Sequence, residues 1–107
     1  MRSDNMPVFQ RETALRVFLE EFAIQNDSPS YPLLFSAIRY QAAHPDAPLS
    51  ESIAHAAAGS PLTPEQVSCG IRELLLNTAE DTGIPAADFI PYAAAWLLDT
   101  EKAYRRS

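Results

Sequence analysis

Gln66, Ser68, Cys69 and Arg72 crowd one short segment whose pattern is helical. A carboxamide can pair with an adenine edge, a hydroxyl with either kind of base, and a guanidinium with guanine or phosphate, so the set has the chemistry of a DNA reader. Glu65, Glu73 and Glu80 share that side, and carboxylates set against phosphates repel them. Phosphate neutralisation supplies essentially all nonspecific DNA affinity. Any DNA binding is therefore expected to be weak, or to depend on an oligomer or partner that contributes basic surface. The alternative chemistry uses the acids themselves. Glu65, Glu73 and Glu80 with the apolar Leu76 would form a protein-interaction face that docks on a basic partner or sequesters a related regulator. Arg72 has two readings as well, a phosphate contact or an i, i+4 surface pair.

Other chemistry finds little support. Cys69 is a lone thiol with no neighbouring His or Cys, and His44 and His55 lack metal-ligand spacing to it or to each other. No Gly-rich phosphate loop, Ser-His-Asp set or Cys-His arrangement is present, so neither an enzyme nor a cofactor is expected. No small-molecule site is evident either. The charge of −6 opposes attraction to phosphate or anionic lipid and favours partners with basic surfaces. Arg2, Asp4, Arg11, Glu12, Arg16 and Glu20 exclude a signal-peptide apolar region, and no apolar run reaches membrane-spanning length. With one cysteine and no internal disulfide, a reducing, cytoplasmic setting is expected.

These residues must be positioned by helices. A chain of 107 residues, 47% hydrophobic and 21% charged, has the size and composition of one ordinary globular domain. The sequence predicts a loose leader over 1–8, a single helical domain over 9–104 and a basic tail over 105–107, with Lys102 and Arg105 leading into Arg106. Leu15, Phe18, Leu19 and Phe22 mark a first helix from Glu12 to Ile24, followed by a polar break. Leu34, Ala37, Ile38 and Ala42 mark a second from Tyr31 to Ala43, which His44-Pro45 ends because proline pushes the preceding residue out of the α region. A third helix starts near Ser50 as N-cap and packs through Ile53, Ala54 and Ala57.

Gly59-Ser60-Pro61 then breaks the chain, and Thr63-Pro64-Glu65-Gln66 combines a cap, a proline at the first helical position and a reciprocal Gln. The fourth helix follows from Pro64 to Glu80, with Val67, Ile71, Leu74, Leu75 and Thr78 on its buried face and Gly83 as terminus. A last helix after Ile84-Pro85 carries Phe89, Ala93, Trp96 and Leu97. No segment alternates with period two, so the expected fold is an all-α bundle of about five helices. A helix-turn-helix at about 50–80 is expected within it.

The spacing of several motifs resembles a known family. Phe18-Leu-Glu-Glu-Phe-Ala-Ile24, then Tyr31-Pro-Leu-Leu-Phe-Ser-Ala-Ile38, is similar to the opening of the C-terminal effector domain of the sporulation initiation response regulator, stage zero factor A. Ile53-Ala54, Val67-x-x-x-Ile71-Arg72 and Asp88-Phe89-Ile90 with Leu97 resemble later helices of that domain. The resemblance implies an all-helical, DNA-binding transcriptional regulator that can dimerise, with the helix from Pro64 as its reader. The chain has no room for a phosphoacceptor receiver domain, so any phosphorelay input is expected from elsewhere.

Overall fold

Leucine, isoleucine and alanine recurring every three to four residues leave each helix with one apolar stripe, and stripes of this kind are stable only against one another. The computed structural model describes residues 10–22, 24, 26–76 and 86–106, with side chains from 88 to 105 in the last range. It is all-α: α1 (Arg11–Glu21), α2 (Tyr31–Ala43), α3 (Leu49–Ala58), α4 (Pro64–Leu76) and α5 (Ala86–Arg106), with no strand among the described residues. α2 is the central helix. It packs most extensively on α3 and α5 and also touches α1 and α4.

The core runs continuously through the five helices. Leu15 and Leu19 of α1, Leu34 and Ile38 of α2, Val67 of α4 and Phe89 and Leu97 of α5 are fully buried. Burial of each large aliphatic side chain contributes about 1.5–3 kcal/mol relative to exposure. Rings join α1 to α5: Phe18 lies 4.5 Å from Trp96 and 6.2 Å from Phe89, and Phe22 meets Phe89 edge-on at 5.6 Å. Trp96 is only half-buried, at the rim of this cluster.

The bounds of α2 agree with the sequence expectation, whereas α1 ends earlier than predicted. The Ile24 N–H donates to the Leu19 carbonyl at 3.2 Å, and the Phe22 N–H donates to the same oxygen. The first is the long back-bond of a Schellman-type terminus, which folds the chain over the helix end and returns an apolar residue to the core. Ile24 is accordingly buried although it lies outside the helix.

α3 departs from expectation in two respects. Its N-cap is Pro48, without a side-chain cap, and Ser50 is an exposed residue of the first turn. Its buried face is Ser52, Ile53, Ala56 and Ala57, while the predicted Ala54 is exposed. The cause is polar. The Ser52 hydroxyl, fully buried, donates to Gln41 Oε1 at 2.7 Å, and Gln41 Nε2 donates to the Ala47 carbonyl at 2.8 Å. With Ser52 turned inward to meet Gln41, a 3.6-residue repeat brings Ala56 to the core and rotates Ala54 to solvent.

α4 approaches the segment before α2 so closely that a side chain on Gly70 would meet Ser30. A Cβ there would lie 2.6 Å from Ser30 Oγ. This contact and the α3 packing fix which side of α4 faces outward. The predicted roles of Thr78, Gly83 and Ile84-Pro85, and the expected leader over 1–8, fall outside the described residues.

The Ser52–Gln41–Ala47 relay predicts that Ser52→Ala lowers the unfolding free energy by about 1–3 kcal/mol, because a buried acceptor loses its donor. Combining it with Gln41→Met should cost less than the sum of the two single substitutions. Urea denaturation measures both; strict additivity would show that the relay is not a unit.

Candidate functional site

The N-terminus of α4 has reciprocal side-chain caps. The Gln66 N–H donates to the Thr63 hydroxyl at 3.2 Å, and the Thr63 N–H donates to Gln66 Oε1 at 2.9 Å. With Pro64 at the first helical position, this is the capping box expected from the sequence, and it satisfies donors that would otherwise lack partners. It also engages Gln66. A bidentate adenine contact uses both ends of a carboxamide, and here the oxygen is already occupied within the chain.

The outward face of α4 carries Glu65, Gln66, Cys69, Arg72, Glu73 and Leu76, all exposed, with Ser68 half-buried on the flank. The helix therefore brings the proposed DNA contacts and the proposed protein-docking residues onto the same surface. Glu80 falls outside the described residues. Leu76 is 76% exposed, the most exposed large apolar side chain among the described residues. Arg72 forms no ion pair among them, and no carboxylate stands three or four positions from it in α4. Cys69 is a free, exposed thiol, and no cluster of metal-ligating side chains occurs among the described residues.

A DNA-reading α4 would gain from cations brought in by α1 or by the C-terminal end of α5. α1 makes no contact with α4. Arg11 of α1 instead donates to Glu101 of α5, at 2.8 Å from Nη2 and 3.3 Å from Nε, and Arg105 lies 3.6 Å from the same carboxylate. Arg39 of α2 pairs with Glu12 at 2.9 Å. That last pair is half-exposed at both ends and contributes little to stability. Three described arginines are thus engaged along the seam of α1, α2 and α5.

A second concentration of polar chemistry lies away from α4. Arg11, Arg16 and Arg39 line an open groove with Tyr31, Phe35 and Tyr40, and no residue of α4 contributes to it. Burial pushes the Tyr31 phenol above its ordinary pKa, while Arg16 acts in the other direction. The residues of this groove are outside the set that the sequence alone singles out. Its signal is the four-residue spacing of Tyr31, Phe35 and Arg39, which sets a second stripe on α2 beside the apolar one.

No protein-family model matches the chain, and neither does a curated protein or a solved structure. No described helix is long and apolar enough to cross a membrane.

The Arg11–Glu101 contact carries a pH expectation. Hydrogen bonding from Arg11 holds the Glu101 carboxyl below its ordinary value of 4.5. A lowered folded-state pKa means that the unfolded chain binds the proton more readily. The contact's stabilisation is therefore present above pH 4.5 and lost as pH falls through the folded-state value. Chemical denaturation should show wild type losing its advantage over Glu101→Gln on acidification below pH 4.5; a constant difference across that range would contradict the assignment.

Proposed function

We propose that this chain is a small helical regulatory domain that docks the acidic face of α4 on a basic protein surface. The observation that carries the reading is Leu76, 76% exposed, on the same helix face as Glu65 and Glu73. Positions 65, 69, 72, 73 and 76 follow the three- and four-residue steps of one helical stripe. An apolar anchor beside carboxylates suits a partner with an apolar pocket rimmed by Lys and Arg, and the charge of −6 steers such encounters. A regulator's own DNA-binding surface has this chemistry, so sequestration of a related regulator is the form of the reading we favour. In a cytoplasmic setting the domain would act by occupying that surface.

A second reading retains transcriptional regulation by direct DNA contact, in line with the resemblance to the sporulation effector domain. It is favoured by the succession of α3, the connection at 59–63 and α4, all packed on α2, which is compatible with a helix-turn-helix. Ser68, Cys69, Arg72 and the Nε2 end of Gln66 would make the contacts. The separation of the α1 cations from α4 weighs against it.

A lysine-rich amphipathic helical peptide, titrated calorimetrically, tests the first reading. Binding should weaken with added salt and fall by about tenfold or more in the Glu73→Lys, Leu76→Ala double variant, a loss of about 1.4 kcal/mol. Equal affinity in the variant would remove the α4 face from consideration. Random duplex DNA in the same assay should show no binding at about 50 μM protein in low salt, where electrostatic affinity is greatest; tight binding there would transfer the function to the DNA reading.

A further inference from the structure

α2 has two working faces. Leu34, Ala37, Ile38 and Ala42 pack the core, whereas Tyr31, Phe35 and Arg39 line a groove of about 690 Å³ that opens to solvent. α1 contributes Arg11 and Arg16 to its wall, the end of α2 adds Tyr40 and His44, and α3 adds His55. In a chain with 8 lysines and arginines and 2 histidines, three of the arginines and both histidines converge on this one depression. Among the described residues, no carboxylate lines it. Among the described residues, Glu101 engages Arg11, Glu12 engages Arg39 and Glu51 accepts from the Tyr40 hydroxyl, while the Glu20 carboxylate acts on the Tyr31 phenol through space. Arg16 has no ion-pair partner among the described residues.

The aromatic part of the wall is already assembled. Tyr40 stacks on His55 with centroids 4.6 Å apart and planes 26° from parallel, His44 lies 4.5 Å from Tyr40, and Tyr31 lies 6.1 Å from Phe35. The Tyr31 hydroxyl is shielded from solvent and has no hydrogen-bond partner among the described residues, an uncommon state for a buried polar atom. Guanidinium groups suit phosphate, flat rings suit a base, and the volume falls within the roughly 300–1,000 Å³ of small-molecule sites.

We propose that the groove between α1, α2 and α3 binds a nucleoside phosphate, with Arg16 and Arg39 holding the phosphate and the tyrosine and histidine rings taking the base. This site is separate from the α4 face and does not depend on the function assigned to it. An extended single strand would need a cationic track longer than this depression, so the small ligand is the better match.

The test uses amide chemical-shift mapping of the full chain with AMP, adenosine, inorganic phosphate and a ten-residue oligothymidylate. AMP should shift amides around Arg16, Tyr31, Phe35 and Arg39 saturably, with a Kd of about 1 mM or tighter, and adenosine and phosphate should each bind at least about tenfold more weakly. Arg16→Gln should weaken AMP by about tenfold while leaving the helical circular dichroism and Tm unchanged, since Arg16 is exposed and has no ion-pair partner among the described residues. Absence of shifts at about 5 mM AMP, or an unaltered Kd in Arg16→Gln, would overturn the proposal. Phosphate binding as well as AMP would reduce the groove to a plain anion site. Tighter binding of the oligonucleotide, with shifts extending beyond the groove, would replace the nucleotide by a nucleic acid.

Discussion

The orientation of α3 against α2 rests on a polar contact in an otherwise apolar layer. Ser52 is fully buried, and its hydroxyl is satisfied by Gln41, whose amide reaches the turn carbonyl of Ala47. Apolar packing tolerates rotation of a helix by part of a turn, but a buried hydroxyl with one available acceptor does not, because the misaligned state leaves both groups unsatisfied. The relay therefore selects which residues of α3 enter the core. The outward face of α4 follows from its packing on α3 and from the close approach of Gly70 to Ser30.

α2 transmits that constraint to the rest of the domain. It touches all four other helices, and its two ends meet different chemistry: Tyr31 and Phe35 near the start, Tyr40 and His44 near the finish. The charge arrangement follows from what α1 and α5 place beside it. Arginines from α1 lie along α2 and α5, where Glu12 and Glu101 engage two of the groove's cations. Carboxylates remain exposed on α4, beyond the reach of α1. An acidic chain can in this way hold one locally cationic depression while presenting an anionic helix elsewhere, since net charge governs encounter at long range and local geometry governs what is held.

Much of this arrangement was legible in the sequence. The bounds of α2, the Thr63–Gln66 capping box and the buried face of Val67, Ile71 and Leu74 follow from local rules, and each appears as expected. Ser50 and Ala54 depart from the sequence expectation because the inward turn of Ser52 meets Gln41, eleven residues earlier and on another helix. Ile24 closes the apolar segment that predicts α1 but is out of phase with the Leu15–Phe18–Leu19–Phe22 stripe, and its burial comes from the helix terminus instead. The groove lay beyond local reading for a similar reason. Its α2 stripe is visible as a spacing, but Arg16 and His55 join it only through tertiary packing. The motifs that resemble the sporulation effector domain are mostly core positions, among them Phe18, Leu34, Ile38, Val67, Ile71, Phe89 and Leu97. Such positions bear on fold more than on activity.

Anionic and cationic chemistry are held on separate parts of this surface, with α4 on the acidic side. Amide chemical-shift mapping with a short random DNA duplex at low salt tests it most directly. The amides from Gln66 to Leu76 should remain unmoved, with any perturbation centred on Arg16, Tyr31 and Arg39. Shifts concentrated along α4 and absent from the groove would contradict the account.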